Sequence, residues 1–211
     1  RRQGGWYDDR LVTAEGEAIL AKWDNVAISA FRKNGMLFSV RRDDGVELMG
    51  ADYSVPAPQI EGVFRAPIEN SMSIKLFGIS MLWRAAASQR SEYDLVQLPA
   101  EVLDELRAFV VEERVPKYWE FPVVLGVFNN RYEFTDIAPH TITMRGVRFV
   151  RWCLDGVIMY VATRRRTTGG SRWRGLAVGH NASELMGLIM QYENGSQQRH
   201  TDEAFEDQLR R

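Results

Sequence analysis

Residues 140–163 (HTITMRGVRFVRWCLDGVIMYVAT) decide the class of the fold, because they contain two consecutive strand-like runs. The runs cover 140–151 and 156–163, and the Asp155-Gly156 pair between them is typical of a tight turn. Residues 157–162 are almost wholly apolar, as in a strand that is buried on both faces. The stretch therefore predicts an antiparallel sheet with at least one strand in the core.

Other segments add strands and helices around this sheet. Strands are predicted at 119–128 and 131–136, and a shorter extended piece at 172–178. Asp43-Asp44-Gly45 predicts a hairpin that joins strands 36–42 and 46–53. Helices are predicted in four segments, namely 14–33, 68–89, 99–114 and 182–193.

The helical segments carry recognisable ends and apolar faces. Thr13 is a predicted N-cap for the first helix, and Asn34-Gly35 is a typical stop. Its inward face is predicted to hold Ile19, Trp23, Val26 and Ala30. The corresponding residues are Met72, Leu76, Ile79, Trp83 and Ala86 in the second helix, and Val102, Leu106, Phe109 and Val110 in the third.

These elements predict an α+β fold, with an antiparallel sheet of four or five strands and three to five helices. A single domain is expected over residues 1–194, followed by a polar tail at 195–211 in which 202–210 forms a short helix. At 211 residues with 45% hydrophobic residues, the chain is long enough to bury a substantial core.

Composition excludes some classes of function. Charge is almost balanced, at −1, so general attraction of the whole molecule to nucleic acid is not expected. The single cysteine, Cys153, leaves no internal disulfide, which fits a cytoplasmic protein. No apolar run is long enough to span a membrane, and no signal peptide is visible, so no membrane partner is expected.

Two ordered blocks of sequence resemble a group of bacterial and phage proteins related to HNH endonucleases of the zinc-knuckle type. The first block keeps Gly5, Tyr7 and Asp8, then Trp23, Asp24 and Asn25. The second is the segment 75–85 (KLFGISMLWRA), which looks like a helix of that group. Ser88 and the segment 93–98 fall at a short extended link, so the resemblance covers residues 1–115.

The resemblance implies a Cys-x-x-Cys knuckle where this chain has Thr13 and Gly16, neither of which binds zinc. It also implies that a catalytic His and a second Cys pair lie upstream of Arg1. Residues 1–35 therefore resemble a degenerate zinc-knuckle region. A setting in phage or mobile-element defence or counter-defence follows from the same resemblance.

No motif in the chain predicts a catalytic, metal or cofactor site. His140, His180, His200 and Cys153 have no spacing typical of a zinc site, and Cys153 lies in a predicted strand as a buried thiol. Asp8-Asp9 and Asp43-Asp44 are more typical of solvated turns than of magnesium ligands. Arg84 is expected to pair with a carboxylate, whereas Asp24 and Asn25 are expected to tie the preceding loop.

Charge segregation is the strongest functional signal. Trp152 and Tyr160 interleave with the basic residues of segment 145–174, in which Asp155 is the one acid, while segment 92–113 is acidic apart from Arg107. Candidate binding residues are Arg145, Arg148, Arg151, Arg164, Arg165, Arg166, Arg172, Trp173 and Arg174. Three interpretations stay open: the two segments neutralise each other, within or between copies; the basic one binds a protein; or it binds nucleic acid.

Three functions are compatible with these observations. The first is a non-catalytic, degenerate HNH-like protein that binds a protein or nucleoprotein partner. The second is an HNH-type, metal-dependent DNA nuclease whose catalytic residues lie upstream of Arg1. The third is a structural domain that self-associates into a homo-oligomer. The missing thiolates at positions 13 and 16 favour the first, so the chain by itself is not expected to be an enzyme.

Overall fold

A computed structural model describes residues 11–41, 60–128, 139–144, 146–165 and 175–190. Within these ranges the chain forms an α+β fold of three α-helices and a six-stranded sheet. The helices are α1 (Ala14–Lys33), α2 (Ser71–Ala87) and α3 (Ala100–Val111). The strands are β1 (Ile60–Pro67), β2 (Val123–Phe128), β3 (His140–Met144), β4 (Val147–Leu154), β5 (Val157–Ala162) and β6 (Glu184–Met190).

The sheet is mixed, in the order β1-β6-β2-β5-β4-β3. All neighbouring strands are antiparallel except β2 and β6, which run parallel. The predicted α+β class is confirmed, but the sheet has six strands rather than four or five, and one of its five strand pairs is parallel rather than antiparallel. Strand β6 lies between β1 and β2, and it runs antiparallel to the first and parallel to the second.

The helices pack on one face of the sheet. Side chains alternate along each strand, so Val123, Leu125 and Met159 join the helical core, while Val124 and Ile158 join an apolar cluster on the opposite face. The helix α2 packs tightly on the sheet at Gly78, where an added Cβ would come within 3.1 Å of the side chains of Val123 and Met159. Both faces of the central strands are consequently buried.

The start of α1 is held by the cap that the sequence predicts. Thr13 has an extended backbone, and its Oγ1 accepts a hydrogen bond of 3.3 Å from the backbone N–H of Gly16. The two positions where the resemblance implies zinc-binding cysteines are thus joined by an N-cap. The buried residues of α1 are Leu20, Trp23, Ala27 and Phe31.

The predicted inward face of α1 was rotated relative to the observed one. Val26 is exposed, and Ile19 and Ala30 lie at the margin of the core. In α3 the prediction is confirmed for Leu106, Phe109 and Val110. The central helix α2 is buried on most of its circumference, so one apolar stripe describes it incompletely.

Two predicted segments adopt another structure. Residues 36–41 form turns rather than the first strand of a hairpin, and they are held by a bond from the backbone N–H of Phe38 to the carbonyl of Asp155. The predicted helix at 182–193 was wrong, because 184–190 forms β6. The predicted strand at 140–151 is two strands, separated by a turn at Gly146 with a φ of +78°.

Several predictions concern residues outside the described ranges, namely the strands at 46–53 and 131–136, the tail 195–211 and most of the loop before Gly175. The sequence did not predict β1, which lies at one end of the strand order. None of the helices in the described ranges combines the length and hydropathy needed to cross a bilayer.

Candidate binding surface

The basic residues of the sheet do not form one surface. Arg148 and Arg151 lie three positions apart on β4, which places them on opposite faces. Arg148 is exposed, and its Nη2 donates a hydrogen bond of 3.2 Å to the carbonyl of Leu95. Arg151 is only 4% exposed. Of these two arginines, only Arg148 is accessible to a partner.

Exposed arginines are found where β5 ends. Arg164 and Arg165 follow the strand after Thr163, and both are exposed. The remaining candidates lie outside the described residues, and they are Arg145, Arg166, Arg172, Trp173 and Arg174. The aromatic residues that interleave with the arginines do not form a stacking surface, because Trp152 and Tyr160 are buried on opposite faces of the sheet.

Arg165 is held between two carboxylates. Its Nη1 lies 3.0 Å from Oε1 of Glu105, and its Nε donates to Oε1 of Glu120 at 3.1 Å. Glu105 belongs to the acidic segment 92–113, so the interpretation that the acidic and basic segments face each other is confirmed at this one contact. In addition, the backbone carbonyl of Arg165 accepts a bond from the N–H of Phe121.

The segment beside Arg165 carries an aromatic cluster that the sequence did not reveal. The ring of Tyr118 lies edge-on to Trp119, with centroids 4.8 Å apart, and edge-on to His180 at 4.9 Å. Trp119 is 37% exposed, and Nζ of Lys117 lies 5.1 Å from the centre of its indole ring. Tyr118, Trp119, His180, Arg164 and Arg165 are called the basic–aromatic surface below.

A buried lysine fixes this surface from within. Lys75 lies on α2 with no exposed area, and its Nζ donates to the carbonyls of Lys117 at 2.8 Å and Glu120 at 2.7 Å. Burial lowers the pKa of Lys75 from 10.5 to about 7, although the charge of Glu120 acts to raise it. The lysine thus ties both ends of the turn that carries Tyr118 and Trp119 to the central helix.

Glu120 completes the turn from outside. Its Oε2 accepts a bond of 2.9 Å from the backbone N–H of Lys117, while Oε1 meets Arg165. Partial burial of this carboxyl acts to raise its pKa, but hydrogen bonds from Lys117 and Arg165 outweigh that effect and lower it. Glu120 therefore stays ionised and links the aromatic turn to the first arginines after β5.

The sequence did not predict the aromatic residues or Lys75 as part of the site, and the structure shows why. Trp119 was included in the predicted strand 119–128, but the strand begins only at Val123, and the strand-like pattern hid a turn that follows Pro116 and carries Tyr118 and Trp119. Lys75 is a single cation between Ile74 and Leu76, and this isolation within an apolar helix was the available signal. His180 reaches the cluster from the loop before β6, a contact that no local pattern encodes.

The described residues include no group of three or more His, Cys, Asp and Glu side chains that is arranged to hold a metal. His140 lies on β3 at one end of the strand order, and His180 precedes β6 near the other end. Burial raises the pKa of the Cys153 thiol, which disfavours the thiolate that a nucleophile needs.

The contacts of the basic–aromatic surface are suited to binding. Aromatic rings offer flat apolar faces, and exposed guanidinium groups offer hydrogen bonds to anions. Comparison with known proteins adds no constraint, since no family model, no curated protein and no solved structure matches this chain.

Proposed function

We propose that this chain is a non-catalytic binding protein that contacts the nucleic acid of a nucleoprotein partner through the basic–aromatic surface. The observation that carries the proposal is the cluster of Tyr118, Trp119 and His180, whose turn is joined to Arg165 through the Glu120 carboxylate and the backbone N–H of Phe121. The three rings come from two separate segments, and Lys75 and Glu120 fix the turn that holds two of them.

The chemistry of the surface favours single-stranded nucleic acid. Stacking of a base on an aromatic side chain contributes about 1–3 kcal/mol and tolerates any base, whereas guanidinium groups neutralise phosphates. The net charge of −1 means that the affinity must come from this local surface rather than from the overall field of the protein. Binding is therefore expected to be moderate and strongly dependent on salt.

The resemblance to HNH-like proteins supports a partner from phage or mobile-element defence or counter-defence. In this proposal the protein has exchanged a metal-binding knuckle for the N-cap formed by Thr13 and Gly16. The cap stabilises the start of α1 without metal, so the fold is kept while the zinc site is lost.

The direct test is fluorescence anisotropy with labelled oligonucleotides of dT and rU. Trp119→Ala and Arg164→Glu are each expected to weaken binding at least about fivefold, since each removes a contact of about 1 kcal/mol or more. Arg107→Glu, an exposed arginine on α3, is the matched control and should bind nearly as the parent does. Equal affinity of all four proteins, or no binding at low salt, would contradict the proposal.

Two alternative functions are tested on the same material. A nuclease whose catalytic residues precede Arg1 predicts that the longer protein nicks plasmid DNA with Mg²⁺ or Mn²⁺. Self-association predicts a dimer or larger species by light scattering. Self-association is the less favoured alternative, because Glu105 and Glu120 already pair with Arg165 inside one chain.

A further inference from the structure

A polar cavity adjoins the basic–aromatic surface on the face of the sheet opposite the helices. It has a volume of about 450 Å³ and lies between β1, β6 and the loop that precedes β6. Arg65, His180, Asn181, Glu184 and Met186 contribute to its walls. Because Arg65 alternates with the core residue Phe64 along β1, its side chain projects away from the helices.

Hydrogen-bond donors and hydrogen-bond acceptors both line this cavity. Nη1 of Arg65 lies 4.0 Å from Oε1 of Glu184, so the two opposite charges form a long ion pair at the wall of the cavity. Asn181 is held in place, because its Oδ1 accepts from the backbone N–H of Ser183 at 3.1 Å and from its hydroxyl at 3.2 Å. Nδ2 of Asn181 points towards Glu184 at 3.5 Å.

The ring of His180 joins the cavity to the aromatic cluster. It lines the cavity and also lies edge-on to Tyr118, at 72° between the ring planes. A strand of nucleic acid that stacks on Trp119 and Tyr118 therefore has the cavity within reach of a neighbouring base. A volume of this size is within the range of small-molecule sites, about 300–1,000 Å³, and accommodates one base with its sugar.

We propose that the cavity is a subsite for one unpaired guanine of a bound single strand. This inference rests on the proposed function. Guanine presents two adjacent N–H donors on its Watson–Crick edge, and these match the two acceptor oxygens of the Glu184 carboxylate. The base stacks against His180, and Arg65 meets either the base carbonyl or the adjacent phosphate. Adenine, cytosine and thymine each lack that pair of adjacent donors.

The test compares oligonucleotides of ten dT with versions that carry a single central dG, dA or dC. The dG oligonucleotide is expected to bind about tenfold more tightly than the others, as for one good bidentate contact to a base. Glu184→Gln replaces one acceptor oxygen by a donor and should reduce the ratio of dG to dT affinities to about one. Glu69→Gln, at a fully exposed carboxylate outside the cavity, should leave this ratio unchanged.

A second variant keeps the proposal testable if Glu184→Gln fails to fold. Ala182 is an exposed residue of the cavity wall, so Ala182→Leu should fill part of the space and also abolish the dG preference. Both variants should keep the thermal unfolding midpoint of the parent. The same comparison with rU decamers, with and without one central G, tests RNA beside DNA. A preference for G in either DNA or RNA supports the subsite.

The outcomes separate this inference from the function on which it rests. If the dT oligonucleotide binds in a manner that depends on Trp119 but dG gives no advantage, the guanine subsite is wrong and the binding surface stands. A dG preference that survives both Glu184→Gln and Ala182→Leu also overturns the subsite. If no oligonucleotide binds at all, the proposed function itself fails.

Discussion

Arg84 and Asp24 join the helices α1 and α2 through a two-pronged ion pair. Nη2 of Arg84 lies 2.7 Å from Oδ1 of Asp24, and Nη1 lies 3.0 Å from Oδ2. Arg84 was predicted to pair with a carboxylate, and that prediction is confirmed. The prediction for Asp24 was wrong, because its carboxylate contacts the next helix rather than the preceding loop.

A double-mutant cycle with Asp24→Asn and Arg84→Met should give a coupling free energy of about 1 kcal/mol. This value is at the upper end for exposed pairs, because both hydrogen bonds are short and the side chains are only 28% and 37% exposed. Unfolding by urea measures it. The matched control is Lys33 with Glu69, which are 3.7 Å apart and 75% and 94% exposed, and whose coupling should stay below about 0.3 kcal/mol. Equal couplings would show that the bidentate geometry is irrelevant.

Gly187→Ala should destabilise the protein by about 1–3 kcal/mol, because β6 lies between β1 and β2 without room for a side chain at this position. An added Cβ would come within 2.7 Å of the carbonyl oxygen of Leu125 and would also strike the ring of Phe64. If residues 182–193 formed a helix, the same change would instead stabilise it by about 1 kcal/mol. The sign of the change in unfolding free energy therefore decides between the two structures.

Gly175→Ala is the control for this substitution. No atom lies within 4 Å of the position that a Cβ would occupy at Gly175, so the effect should stay within about 0.5 kcal/mol of zero. A loss as large as that of Gly187→Ala would mean that glycine itself, rather than close packing, is required.

Local signals predicted the helices better than the strands. The first helix has a cap at Thr13 and a stop at Asn34-Gly35, and both act within a few residues of the chain. The strand β6 has neither alternation of polar and apolar residues nor a β-branched majority, and its extended form depends on β1 and β2 as neighbours. Local sequence patterns encode helix caps and stops, but they do not encode pairing with strands that are distant in the sequence.

The same reasoning applies to the candidate site. Runs of arginine are visible in the sequence, so Arg164 and Arg165 were predicted as binding residues. The contact of Tyr118 with His180 spans more than sixty residues of sequence, and Lys75 reaches the turn from another helix. The sequence therefore predicted the charges of the surface but not its aromatic part.

Arg164 and Arg165 should differ in the property that each one controls. Arg165→Gln should reduce stability by about 0.5–1 kcal/mol, because Glu105 and Glu120 lose a shared partner. Arg164→Gln should change stability by less than about 0.5 kcal/mol, but it should lower the salt dependence of oligonucleotide binding by about one unit of slope. Urea unfolding and anisotropy at several salt concentrations measure the two effects. Identical behaviour of the two variants would contradict the division of roles.

Lys75 should make the unfolding free energy depend on pH. Its pKa is about 7 in the folded chain, whereas a solvated lysine, as in the unfolded chain, has a pKa of 10.5. Between these values the unfolded chain binds more protons, so stability should rise with pH by up to about 1.4 kcal/mol per unit. Below pH 7 Lys75 is protonated in both the folded and the unfolded chain. The folded chain then bears the full cost of burying the charge, so the contribution of Lys75 to the unfolding free energy no longer changes with pH.

Lys75→Met isolates this contribution from all other titrating groups. The difference in unfolding free energy between parent and variant should increase from pH 7 to pH 10 in favour of the parent, because only the parent sheds a buried proton. Lys33→Met, at a side chain that is 75% exposed, is the matched control for the same substitution at the surface. Urea unfolding at intervals of half a pH unit measures both curves. A flat difference for Lys75→Met would mean that the buried amine keeps an ordinary pKa, with the turn at 117–120 held by a full charge throughout.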